Sequence, residues 1–386
     1  MNQKLSLKKL QGIKPKGVKP KGSSALEKLL AFEKKYVEEF EGHKVLIDYA
    51  GYIPHGSVPD YANFRELYSD LYRMVEKDTN KMDFNNNLLE SYIESSLILE
   101  ESSEEEIYSD YKVIRGLFSA TLLQLLTFQN EKENKPTKFH IDGKGKTFDY
   151  LFAGCRFVDE LIVENFKGEG ICSYLGSFGS INSFTAVNIN GVYALNELGM
   201  NAKDIGSVIL TNIQGEYSAY TLLNNAENIE SFLAFDIQSD NVLFAIGSDS
   251  NFGFVYLDDI YGHETTLSAA FNRTSIKTLF IDSIENESFE EEGDIDSFNH
   301  SQVDLTIFYH DDDEAVEEKI EELFRTKTWN NLLSYARNPE LLDKTVEQTG
   351  YSKLKNLLYE LKKGEDTQTT ISEIRNIAKP IDSPIK

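Results

Sequence analysis

The chain has 386 residues, of which 40% are hydrophobic and 12% aromatic, and a formal net charge of -25. That size and composition exclude a chain dominated by disorder and leave room for a large core with two or three structural units. The acidity disfavours nucleic acid as a partner for the body, and no apolar run reaches the roughly 18 residues that a membrane-spanning helix needs.

Residues 1–22 contradict that average. They carry seven lysines (Lys4, Lys8, Lys9, Lys14, Lys16, Lys19 and Lys21) and no acidic residue, and subtracting these charges leaves about -32 on the remainder. Lys14-Pro-Lys-Gly and Lys19-Pro-Lys-Gly form a duplicated basic element that fits neither helix nor sheet, so an extended tail is expected. Such an arm suits an acidic protein surface or the phosphates of nucleic acid. The N-terminus lacks the apolar core and small-residue cleavage site of a secretory signal, and two cysteines, Cys155 and Cys172, fit a reducing compartment, so a cytoplasmic protein is expected.

Residues 23–135 read as mainly helical. Ser23 and Ser24 are plausible caps for a stripe of Leu26, Leu29, Leu30, Tyr36, Val37 and Phe40 that ends near Gly42. A short strand is expected at Val45–Tyr49 and a turn over Gly51–Pro59. Tyr61, Phe64, Leu67, Tyr68, Leu71, Tyr72 and Val75 mark a second helix. Two more are expected near 83–100 and 104–130, the latter opened by Ser103 and Glu106 at capping-box spacing.

From Lys138 to Asn286 the sequence repeats every 23 or 24 residues, most copies having mostly apolar residues, then Asn or Asp, one apolar residue and, after one further position, a Gly. That period with strand-like residues is the mark of a stacked solenoid. Stacking requires each column of equivalent residues to keep one chemical character. Three apolar columns meet the requirement, beginning at Phe152, Val158 and Phe166, and predict three inward faces. Asp142, Asn165, Asn188, Asn212, Asp236, Asp259 and Ser283 form a polar ladder suited to left-handed turn positions. Ser183, Ser207, Ser231 and Thr278 form another, and Gly145, Gly168, Gly191, Gly215 and Gly262 mark a turn where positive φ is expected. Phe139, Ile162, Thr185, Ile209, Leu233, Tyr256 and Phe280 should point outward yet are largely apolar, so flanking helices should cover them.

Past Glu285–Asp296, an expected acidic loop, Val303–Tyr309 is a further rung or a return strand. Helical spacing resumes from Asp313 to about Ala378 through Val316, Ile320, Leu323 and Phe324, then Leu332, Leu333 and Tyr335, then Leu354, Leu357, Leu358 and Leu361. The fold class expected is therefore mixed: a right-handed parallel β-helix of 23–24-residue rungs over 136–310, flanked and capped by helical segments at 23–135 and 311–386.

The recurring glycines of Asn188-Ile-Asn-Gly191 and Asn212-Ile-Gln-Gly215 make the rungs resemble the GxGxG-type β-helix at the C-terminus of glutamate synthase large subunits. The likeness covers residues 138–286. It implies that the β-helix is a structural spacer and not a catalytic centre.

Chemistry is sparse. Asp258 and Asp282 occupy one outward column 24 residues apart, beside Asp259 and near His263 and Arg273, with Glu164 further along. Stacking would hold the pair at about the 5 Å of a retaining glycosidase or of a shared cation site. His310 with Asp311, Asp312 and Asp313 suits either a divalent cation or an acidic helix start. Gly143-Lys-Gly-Lys146 lacks P-loop spacing, and no motif for a metal or other cofactor is found. The reading that results is a non-enzymatic cytoplasmic scaffold binding a macromolecular partner, with the seven tail lysines as binding residues. The alternative is a carbohydrate-active or cation-dependent enzyme using Asp258 and Asp282.

Overall fold

A computed structural model describes residues 24–40, 61–80, 82–97, 110–239, 245–261, 273–282, 284–285, 302–309, 332–334, 338–364 and 366–381. The N-terminal helices are α1 (Ala25–Phe40), α2 (Tyr61–Thr79), α3 (Asn86–Ser96) and α4 (Asp110–Lys132). Ser24 caps α1 in a reciprocal box, its Oγ accepting the Glu27 N–H at 3.1 Å while Glu27 Oε2 accepts the Ser24 N–H at 2.7 Å. The expected strand at Val45–Tyr49, the turn after it, the Ser103–Glu106 box and the tail lie outside the described residues.

Helix α4 is buried without interruption from Lys112 to Thr127. A helix buried on all sides needs neighbours on all sides, and its polar residues need partners there. Helices α1, α2 and α3 pack on one flank and the first rung of the solenoid on the other. Gly116 permits that approach, because a Cβ there would run into Tyr150.

The rungs carry parallel strands β1 (Lys138–Thr147), β2 (Phe157–Lys167), β3 (Ser180–Asn190), β4 (Asp204–Gln214), β5 (Thr221–Leu222), β6 (Asn228–Gln238), β7 (Ala245–Ile246), β8 (Asn251–Tyr261), β9 (Ser275–Ile281), β10 (Ile284–Glu285), β11 (Gln302–Phe308) and β12 (Leu332–Leu333). Nine stack in the order β1-β2-β3-β4-β6-β8-β9-β11-β12, β10 pairs with β8, and β5 pairs with β7 apart from them. Pairing skips Asp159 and Asn182, then Asn165 and Asn188, so each long strand bends at two corners. The three apolar columns are buried wherever their side chains are described. Two of them sit at the two ends of one bent strand, and the third lies in the turns.

That other half of the rung is a ribbon of successive turns, in place of the extended faces that three inward columns suggest. Alternate residues have positive φ, including Gly170, Cys172, Tyr174, Gly176 and Phe178, then Tyr193, Leu195, Glu197, Gly199 and Asn201. The peptides between them point alternately up and down the stack. Cys172 N–H donates to Leu151 O at 2.8 Å and Tyr174 N–H to Asn196 O at 2.9 Å, in opposite directions. These rung-to-rung bonds hold bulky residues in a conformation that costs about 1 kcal/mol each.

The Asn ladder forms as the sequence predicts. Asn165 Nδ2 donates to Asp142 Oδ1 at 2.9 Å, Asn188 to Asn165 at 2.8 Å and Asn212 to Asn188 at 2.7 Å. Asn165, Asn188, Asn212, Asp236 and Asp259 all have φ between 51° and 58°. The Ser ladder contributes the Ser231 to Ser207 bond at 3.1 Å. In the glycine column, Gly145, Gly168 and Gly215 have positive φ, while Gly191 is needed for a different reason: a Cβ would strike the Gly168 carbonyl. Gly262 lies outside the described residues.

The first rung corrects the column reading by one residue. Phe139 pairs with Leu161 and faces the core, and His140 takes the outward place opposite Ile162. The register then shifts between Asp142 and Lys146, where Gly143-Lys-Gly bulges.

At the other end, β11 continues the parallel stack, with Val303 opposite Ile276. Leu332 and Leu333, expected in a helix, form β12 on β11 because a strand edge is available there. The expected helix through Val316 and Phe324 lies outside the described residues. Helices α5 (Pro339–Thr349), α6 (Leu354–Lys363) and α7 (Thr367–Ile377) follow. Their apolar faces cluster with Ile162, Ile209, Leu233, Tyr256 and Phe280, so the outward stripe is covered as expected.

Asn188 tests the ladder directly, since it donates to Asn165 and to Lys362 O and accepts from Asn212. Asn188→Ala should cost about 3 kcal/mol in urea unfolding, and Asn188→Gly about 1 kcal/mol less than that, since glycine accepts the left-handed backbone.

Candidate functional site

The outward column opened by Asp142 and Glu164 continues through Val187, Thr211 and Phe235 to Asp258, as consecutive strand registers show. Its middle, apolar but for Thr211, lies under α6 and α7, while its ends are acidic. Asp258 is 0% exposed, and Asp282 in the next rung follows Ile281, which pairs with Leu257. The two carboxylates meet the same side chains. Tyr256 OH donates to Asp258 Oδ2 at 3.0 Å and reaches Asp282 Oδ2 at 3.5 Å, and Lys355 Nζ lies 3.2 Å from Asp258 Oδ1 and 3.8 Å from Asp282 Oδ2.

Lys355 belongs to α6, so the helix that covers the apolar stripe also brings the cation. Burial pulls its pKa down, but the charges of Asp258, Asp282 and Asp259 outweigh that and raise it. Tyr256 is held neutral far above its ordinary pKa, first by burial and then by the same carboxylates. A neutral phenol and a half-exposed ammonium satisfying a fully buried carboxylate make a brace between helix and solenoid. Lys362, two turns further along α6, pairs with Asp236 in the same manner. At the first rung, His140 Nε2 lies 2.8 Å from Glu164 Oε1, and Thr367 of α7 donates to the other oxygen at 3.4 Å.

Sequence reasoning found Asp258 and Asp282 but missed Tyr256, Lys355 and Lys362. The usable signal was Lys355 and Lys362 at seven-residue spacing beside the Leu354, Leu358 and Leu361 stripe. Arg273 pairs with Asp249 at 3.6 Å, and His263, the His310–Asp313 run and the tail lysines lie outside the described residues. Among the described residues no group of three or more His, Cys, Asp or Glu could hold a metal ion.

A second chemical feature lies on the turn side. Tyr193 and Tyr217 from successive rungs stack at 5.1 Å and 11°, with Tyr220 edge-on to Tyr217 at 5.9 Å. Beside them, burial pushes the Glu197 carboxyl up to about 7, against a lowering hydrogen bond from Tyr174. Burial also raises Glu169, which accepts the Tyr150 OH at 2.6 Å. A cavity of about 520 Å³ opens between α2 and α4, with Tyr72, Leu125 and Phe128 on its wall and Glu76, Glu131 and Lys132 among its polar lining. Compared with protein-family models, curated proteins and solved structures, the chain matches none.

If the Asp258 cluster is a brace, Lys355→Met should lower stability by about 2 kcal/mol, less than for a wholly buried pair because the ammonium is half-exposed. Since the Lys355 pKa is raised, this contribution is fully present below about 10.5, the unfolded value, and is lost as pH rises through the higher folded one. Urea unfolding of both proteins from neutral to strongly alkaline pH should show the gap closing.

Glu197 works in the opposite sense. Its folded pKa lies above the unfolded one, so the native state binds the extra proton and stability falls as pH rises from about 4.5 to about 7. Glu197→Gln should remove that slope and stabilise the protein by about 3 kcal/mol above pH 7, as read from unfolding curves on either side of the window.

Proposed function

We propose that the protein is a non-enzymatic cytoplasmic β-solenoid scaffold that presents its rungs and its Lys-rich N-terminal arm to a macromolecular partner. The observation that carries this reading is the state of its best candidate catalytic pair. Asp258 is wholly buried and bound by Tyr256 and Lys355 beneath α6, as a structural brace would be. A glycosidase needs both carboxyl groups open to a sugar ring on the same side. The free buried thiols Cys155 and Cys172 support a reducing compartment. The likeness of the rungs to the glutamate synthase repeat, where the β-helix resembles a spacer, points the same way.

The test is affinity capture from a cell extract with the full chain and with a full chain whose seven tail lysines are Gln. A partner held at low salt, released at high salt and lost with the Lys→Gln chain is the expected outcome. Identical partner sets for the two proteins would remove the arm from the function. Polysaccharide cleavage abolished by Asp258→Asn in a stably folded protein would replace the scaffold with the enzyme.

A further inference from the structure

The central rungs have an unusual charge content. Between Gly168 and Asn272 the sequence holds one Lys or Arg, Lys203, against twelve Asp and Glu. On their turn side Tyr193, Tyr217 and Tyr220 are half-buried, and Val192 and Glu216 next to them are exposed. The turns beneath are fixed from rung to rung: Ser173 Oγ donates to Tyr193 O at 2.8 Å, Ser177 Oγ to Glu197 O at 2.8 Å, and Ser218 Oγ to Gly191 O. Aromatic rings on a backbone held this way lose little freedom on binding.

The chemistry of this face selects among ligands. An ammonium over a tyrosine ring gains about 0.5–1 kcal/mol at an exposed site. Carboxylates within a screening length of about 8–10 Å add attraction. Aromatic-lined surfaces also favour proline-containing extended peptides, which are ordered before they bind. A neutral sugar would use the rings but gain nothing from the acids, and a polyphosphate would be repelled by them.

We propose that the turn face around Tyr193 and Tyr217 seats a lysine- and proline-containing peptide, and that residues 14–22 of this chain, Lys-Pro-Lys-Gly-Val-Lys-Pro-Lys-Gly, are its occupant. The charges are complementary, since the arm is wholly basic and Glu216, next to Tyr217 on this face, is an exposed acid. This rests on the reading of arm and rungs as binding surfaces and gives them a common ligand chemistry. A partner that captures the arm then vacates the face.

The experiment uses the full chain with its seven tail lysines changed to Gln, so that its own arm does not compete. A synthetic peptide of residues 14–22 is titrated in by calorimetry. Tyr193 and Tyr217 have φ of 56° and 52°, so each is replaced by Asn, which tolerates that backbone, and the unfolding midpoint is checked. The peptide should bind, and Tyr217→Asn and Tyr193→Asn should each weaken it by about tenfold. A peptide with Gln for Lys should not bind, and Glu230→Gln, an exposed acid on the strand, should leave affinity unchanged. The proposal is overturned if the peptide does not bind, if both Tyr variants bind as tightly as the parent, or if the Gln peptide binds equally. Loss of this seat with partner capture intact would leave the scaffold reading standing, and the converse would remove that reading alone.

Discussion

Everything in this fold depends on one constraint: each rung must present its backbone donors and acceptors in register to the rung beside it. The stack satisfies its interior but leaves an open edge at each end. At the first rung α4 closes that edge with side chains. Ser119 Oγ accepts the Phe152 N–H at 2.9 Å, and Gln124 Oε1 accepts the Arg156 N–H at 3.0 Å and the Tyr68 OH at 3.1 Å. Lys112 and Asp149 join helix and turn at 3.3 Å while nearly buried. A helix that must cap backbone and fill a core on both flanks has no solvent face, which is why α4 buries polar residues such as Ser119 and Gln124 among its leucines.

The same constraint explains what the sequence discloses. Stacked positions share one environment, so the apolar columns and the Asn ladder are legible as repeated residue types. Ladder polarity is legible too: Asp142, which only accepts, stands at the end that receives an amide, and Asp236, with no amide, ends the run of donors after Asn212. The alternating left-handed ribbon is not legible, because Tyr, Cys, Leu and Glu have no preference for positive φ and are held there by neighbouring rungs. Register at the first rung is hidden for a related reason. The Gly143-Lys-Gly bulge breaks the period, so counting from Ile162 lands on Phe139 where the strand pairing places His140. Leu332 and Leu333 have no local strand signal beyond two leucines, and the free edge of β11 decides their state.

The candidate site was half legible. Its carboxylates stand out as a column, whereas Tyr256 reads as part of the apolar stripe and Lys355 comes from a helix about a hundred residues on. The outward column has Val187, Thr211 and Phe235 in its middle and acids at both ends, and the C-terminal helices match it, with leucines over the middle, Lys355 at Asp258 and Thr367 at Glu164, while Lys362 reaches Asp236 beside the column. Removing such acids from water is costly, and a cation on the covering helix offsets the cost only when the helix is docked in one position. The buried charges thereby fix where α6 sits along the stack, which an apolar stripe of similar residues would leave free to slide.

Covering one face has a consequence for the other. With the outward stripe of the strands covered by α5–α7 and the first edge by α4, the turn ribbon is a surface on which rung residues can vary, and its backbone is bonded up and down at alternate peptides. Side chains there project from a rigid frame at rung spacing, and the Tyr193–Tyr217 pair is the direct product of two equivalent positions holding the same residue. The frame imposes a cost where a polar residue falls inside, as at Glu197, whose Oε2 is buried without a hydrogen-bond partner. Periodicity therefore does two kinds of work: it makes the core by repetition, and it turns any repeated surface residue into a patch with a fixed spacing.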